Sequence, residues 1–189
     1  MKIYCIHGYN GKANNTTVQA IRNIRPEDEV IAQQFDLLDM QSVYDKISEA
    51  QPDILVGNSL GGFYALTWGG NCRRIVVNPC MRPSVEIPKL DSTIDKKLIK
   101  DWERIELTSM WFSRYMGAWK RDHRTFGIFA KDDELFHYKE FFDKYFRAPL
   151  SSSILVEGTH KLADPELTEG LAKAFEFIKE GDQNEKPKL

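Results

Sequence analysis

Six short runs of apolar, β-branched or aromatic residues recur along the chain, each bounded by turn formers. They are KIYCIH at 2–7, EVIAQQF at 29–35, DILVG at 53–57, RIVVN at 74–78, TFGIFA at 125–130 and SSILVE at 152–157. The pattern predicts six β-strands. Several runs are apolar throughout instead of alternating, as a sheet covered on both faces requires, and such sheets are mostly or wholly parallel.

Between the runs, apolar positions recur at helical spacing over about 15–24, 40–50, 60–69, 93–120, 137–146 and 165–179. In the last tract Leu167, Leu171, Ala174, Phe175 and Ile178 line one face, and Asp164-Pro165 marks its start. Strand and helix alternate almost without exception. This predicts an α/β fold with a doubly wound sheet, helices on both faces and a site at the carboxyl ends of the strands.

The tract 93–120 is longer than a crossover needs. Leu98, Trp102, Ile105, Phe112, Tyr115, Met116 and Trp119 share one helical face, with DSTID at 91–95 offering caps. Two readings stand: a core-facing helix pair, or a cap over a pocket walled by Trp102, Trp111 and Trp119. The expected organisation is one domain over 1–189, with a helical insertion at about 81–121 and a polar, frayed tail at 180–189.

Composition narrows the function classes. Lysine plus arginine (26) nearly balance aspartate plus glutamate (28), which leaves no electrostatic footprint for nucleic acid or an anionic membrane. The N-terminal MKIYCIHGYN is too short in apolar residues for a signal peptide, and no later stretch reaches the length of a membrane span, so a cytoplasmic protein is expected. Cys5, Cys72 and Cys80 form no C-x-x-C pair, and no carboxylate or histidine pair has metal-ligand spacing, so neither a disulfide framework, a metal nor another cofactor is expected. Cys5 reads as core and Cys80, after a strand, as core or pocket lining.

The chemistry concentrates in LVGNSLGGFYAL at 55–66. Gly57-Asn58-Ser59-Leu60-Gly61 fits G-x-S-x-G with a strand before it and a helix after it, the context in which the serine sits on a strained turn and its Oγ stands clear of the sheet. A serine needs a base and an acid to attack a carbonyl. Of the four histidines, His160 follows the last strand run in VEGTHKLADP and is best placed to be the base. The acid loop FGIFAKDDELFHY offers Asp132, Asp133 and Glu134; Asp133, three residues past Ala130, has the offset to turn back beneath His160, and Asp132 competes with it. The N–H of Leu60 at the helix start and that of Tyr9 after the flexible Gly8 are the candidate oxyanion donors, which makes His7 a residue that orients its loop.

Taken in order, IHGYN, GNSLGGFYA, VVNPCMRPS, KDDELFHY and EGTHKLAD resemble the α/β-hydrolase superfamily, and more narrowly the small YqiA/YcfP-like esterases of minimal hydrolase fold. The resemblance covers almost the whole chain. It implies Ser59 as nucleophile, Asp133 as acid, His160 as base and the Tyr9 and Leu60 amides as oxyanion donors, and Asn78-Pro79 looks like a further hallmark of the family. Ala130 replaces the glycine usual before the acid. The expected activity is hydrolysis of small-molecule carboxylic esters or acyl thioesters through an acyl-enzyme. The alternative is a non-catalytic or vestigial hydrolase-fold binding protein.

Overall fold

The six apolar runs form the six strands of one sheet, β1 (Lys2–Ile6), β2 (Glu29–Ala32), β3 (Ile54–Asn58), β4 (Arg73–Val77), β5 (Thr125–Ala130) and β6 (Ser151–Val156). Every pairing is parallel and the order is β2-β1-β3-β4-β5-β6. The computed structural model describes residues 1–115, 124–146 and 150–183, with the backbone alone at 109–115 and 180–183.

The period of two sorts side chains onto two cores. Ile3 and Cys5 of β1, Ile54 and Val56 of β3, and Ile75 and Val77 of β4 face α1 (Thr16–Ile24) and α7 (Glu166–Gln183). Tyr4, Ile6, Leu55 and Val76 point to the other face, which is covered by α2 (Met40–Ala50), α3 (Leu60–Thr67), α4 (Pro83–Leu90), α5 (Lys96–Tyr115) and α6 (Lys139–Tyr145). The chain runs from β1 outward to β2 and then returns to β3 on β1's other side, so a crevice opens at the carboxyl ends of β1 and β3.

Local chemistry explains the helix starts. Asn15 Oδ1 accepts the Val18 N–H at 3.1 Å, Asp39 Oδ1 accepts Ser42 N–H at 3.1 Å and Asp95 Oδ1 accepts Lys97 N–H at 2.6 Å. α3 lacks such a cap because Ser59 occupies the cap position without a side-chain bond. Its other end is closed by the buried Arg74, whose guanidinium donates to the carbonyls of Ala65, Trp68, Gly70 and Cys72 at 2.7–3.1 Å. These carbonyls lie at or beyond the helix's negative end.

Two expectations need correction. The long tract is helical from Lys96, near its expected start, but within the helical insertion expected over about 81–121 a separate helix, α4, precedes it, with Pro83 in its first turn and Pro88 inside it. Pro83 costs nothing at a helix start, where its missing N–H has no partner anyway. The helix partner of α5 therefore lies upstream of the tract. At the C-terminus α7 continues to Gln183, into the tail expected to fray from 180.

Candidate active site

Ser59 sits between the end of β3 and the start of α3 with φ 50° and ψ −120°, a left-handed conformation that non-glycine residues avoid. Its backbone is fastened to the end of β4: Ser59 N–H donates to Val77 O at 3.0 Å, and Ser59 O accepts from Gly62 N–H and Cys80 N–H, both at 2.9 Å. The turn is tight enough that its glycines have no space to spare. A Cβ on Gly57 would lie 2.3 Å from Gly61 O, and one on Gly61 would lie 2.4 Å from His7 O and 2.5 Å from Ile6 O. The elbow thus presses directly on the β1 backbone.

The loop after β1 reaches the serine hydroxyl. A Cβ built on Gly8 would stand 3.0 Å from Ser59 Cβ and 3.5 Å from its Oγ, so the loop packs directly against the serine side chain. His7, 3% exposed, sets this loop: its Nε2 accepts the Phe35 N–H at 3.0 Å, which leaves the proton on Nδ1 to be donated to Gly8 O at 2.8 Å. Gln34 Nε2 donates to the same Nε2 at 3.0 Å. The backbone N–H groups of Tyr9 and Leu60 meet no acceptor among the described residues. The Tyr9 side chain turns away, and its OH donates to Asp91 at 2.5 Å.

Downstream, the structure brings His160 and Asp133 together. His160 Nδ1 lies 3.0 Å from both carboxylate oxygens, and the pair is nearly shut off from solvent, with side chains 9% and 2% exposed. Asp133 Oδ1 also accepts the N–H groups of Leu135 and Phe136 at 2.8 Å, which fixes the carboxylate beneath the ring. With Nδ1 bonded to a carboxylate, the neutral imidazole carries its proton there and leaves Nε2 as the basic nitrogen. Asp132 points elsewhere: it is exposed, and its backbone N–H donates to Gly158 O at 3.0 Å.

Three further residues hold this loop. Phe136 meets the His160 ring edge-on at 4.8 Å between centroids. Glu134 accepts the His160 backbone N–H at 2.9 Å, and that bond holds its carboxyl below the usual glutamate range. Asn78 donates to His160 O at 2.9 Å and accepts from Ala130 N–H at 2.7 Å. Only Phe136 left no sequence signal: Glu134 stood among the candidate acids, and Asn78 in the asparagine-proline pair at a strand end.

Ser59 Oγ and His160 are not hydrogen-bonded to one another, and the hydroxyl has no partner among the described residues. Trp102, a candidate pocket wall, is instead wholly buried in the core, its Nε1 donating to Tyr64 OH at 3.3 Å. Trp119 lies outside the described residues, as does the side chain of Trp111. Cys80 is fully buried, and burial pushes its thiol well above the ordinary range, so it is core and not a competing nucleophile. Among the described residues no group of three or more His, Cys, Asp or Glu side chains could hold a metal ion, and no helix is long and apolar enough to cross a membrane.

A sequence profile described as "Uncharacterised protein family (UPF0227)" matches residues 2–179. No curated protein matches in sequence. Solved structures do match in fold. Est1E from Butyrivibrio proteoclasticus superposes with a TM-score of 0.69 at 17% identity, over 96% of this chain and 88% of its own. MGS-MChE2, an α/β-hydrolase enzyme from the metagenome of lagoon sediments at Mar Chica, Morocco, gives 0.62 at 17% identity over 95% and 91%. A monoacylglycerol lipase from Paleococcus ferrophilus gives 0.65 at 12% identity over 94% and 93%. At these identities the likeness establishes the α/β-hydrolase fold and leaves the chemistry to this chain's own residues.

Proposed function

The chain belongs to the UPF0227 family, and we propose that it is a serine hydrolase that cleaves small-molecule carboxylic esters, and acyl thioesters by the same route. Ser59 Oγ attacks the carbonyl carbon while His160 Nε2 takes its proton, and Asp133 stabilises the imidazolium through Nδ1–H. The oxyanion that develops is received by the free N–H groups of Tyr9 and Leu60. Collapse expels the alcohol or thiol, which leaves with the proton from His160. Water then attacks the acyl-enzyme with His160 as base, releasing the acid and restoring Ser59. The protein works as a single domain in which α4 and α5 form an insertion between β4 and β5.

One observation carries this reading: a serine held at φ 50° on the β3–α3 elbow lies at the same carboxyl end of the parallel sheet as a histidine whose Nδ1 lies 3.0 Å from a buried carboxylate. Structural turns seldom keep such strain without a use for it. The experiment compares wild type and Ser59→Ala on p-nitrophenyl acetate and butyrate, an acyl thioester and a peptide amide, with a fluorophosphonate probe in parallel. Wild type should hydrolyse the esters and take up one probe per chain. Ser59→Ala should fold, lose turnover by on the order of a thousandfold or more, and take up none. Probe uptake at another residue in Ser59→Ala, or a folded wild type inert to esters and probe alike, would overturn the reading.

A further inference from the structure

Asn78 takes no part in the chemistry just proposed, yet it is 2% exposed at the point where the ends of β4, β5 and β6 converge. Its backbone is left-handed at φ 42°, a conformation that asparagine tolerates better than other residues with a side chain. Its own N–H donates to Ile128 O at 2.9 Å. Its side-chain amide works in two directions. Oδ1 accepts the Ala130 N–H at 2.7 Å, where the chain leaves β5 for Asp133, and Nδ2 donates to His160 O at 2.9 Å and Thr159 O at 3.4 Å.

The partners fix the orientation of the amide, since two carbonyls need the NH₂ and one N–H needs the oxygen. On either side of Asn78 the chain grips the nucleophile turn, Val77 O accepting from Ser59 N–H and Cys80 N–H donating to Ser59 O. One four-residue segment, 77–80, therefore touches the backbone of the serine, of the acid loop and of the histidine loop.

We propose that Asn78 is a positioning residue that sets where His160 stands relative to Ser59 and Asp133. This rests on the serine-hydrolase reading for its effect on rate, but not for its effect on the His160–Asp133 pair. Neither aspartate nor glycine does the same work in this place. Aspartate would keep the acceptor for Ala130 but set a carboxylate oxygen against two carbonyls. Glycine would keep the backbone angle and lose every side-chain bond.

The test uses the full chain with Asn78→Gly and Asn78→Asp, each read against active sites counted by fluorophosphonate uptake. Both variants should lose about 10- to 100-fold in kcat per labelled site, with KM within about twofold of wild type, because displacement of a reacting group by about an ångström costs this much. The pH profile of kcat/KM should shift with them. Independently of any substrate, the proton on His160 Nδ1 should give a slowly exchanging downfield NMR resonance in wild type that broadens or disappears in both variants.

A variant whose kcat per site, pH profile and Nδ1 proton all match wild type, and which is merely less heat-stable, overturns the proposal and leaves Asn78 a fold residue. If Asn78→Gly does not fold, Asn78→Asp, which keeps the Ala130 bond, is read by the same measures. A wild type that is inert to esters and probe defeats the serine-hydrolase reading alone. The Nδ1 resonance then still decides the role of Asn78, its loss supporting the proposal and its persistence overturning it.

Discussion

At the scale of single residues, the decisive contrast is between two adjacent carboxylates. The offset from Ala130 favoured Asp133 in the sequence but left Asp132 as a competitor, because a loop's offset from its strand does not say which way each side chain turns. The structure separates them through the Leu135 and Phe136 amides, which bond Asp133 Oδ1 and roll that carboxylate under His160, while Asp132 faces solvent. An Asp133→Asn change keeps an oxygen for those amides but offers an NH₂ to the imidazole, favouring the tautomer with its proton on Nε2, where it cannot accept one from Ser59. We expect kcat to fall by about four orders of magnitude with the fold intact. Asp132→Asn should stay within about twofold of wild type. Steady-state kinetics of both variants on one ester checks this, and equal losses would remove Asp133 from its assigned place.

At the scale of elements, the elbow depends on how close α3 comes to β1. The sequence made the strand, the turn and the helix legible through an apolar run, G-x-S-x-G and a second apolar run. It also made six parallel strands legible, because a sheet covered on both faces leaves continuous hydrophobic runs. It placed 81–121 in a helical insertion without marking α4 as a separate helix, because Pro83 and Pro88 carry the composition of a loop, and it left the burial of Trp102 open, because a helical stripe looks alike whether it faces a core or a cavity. Distance was equally hidden: nothing in the letters says that a Cβ on Gly61 would meet backbone oxygens of Ile6 and His7 at 2.5 and 2.4 Å. Backbone cannot step aside as a side-chain tip can. Gly61→Ala should therefore push α3 off β1, destabilise the protein by about 1–3 kcal/mol and slow probe uptake at Ser59. Thermal denaturation with timed labelling measures both, and an unchanged melting temperature would mean that the elbow is looser than this contact requires.

At the scale of the whole molecule, the loop that presents the Tyr9 N–H is held from two distant parts of the chain. From the β2 side, His7 links Phe35 N–H to Gly8 O. From the segment joining α4 to α5, Asp91 accepts the Tyr9 OH at 2.5 Å while its other oxygen accepts the Thr93 N–H at 2.9 Å and hydroxyl at 2.6 Å. The tether spans neutral pH. The Thr93 hydroxyl first, and then Tyr9, hold the Asp91 carboxyl below the usual aspartate range, so its contribution is complete above that range and is lost as pH falls through the lowered value. The bond to Asp91 raises the Tyr9 phenol, so the proton it donates is lost only as pH rises through the raised value. If the tether steadies an oxyanion donor, Tyr9→Phe and Asp91→Ala should each lower kcat about three- to tenfold, the size of one hydrogen bond, by the same factor from about pH 5 to about pH 9. The double variant should lose no more than either single, since both remove one interaction. Losses that multiply in the double variant would show that Tyr9 and Asp91 act separately, and the segment joining α4 to α5 would then have no hold on the loop after β1 through this pair.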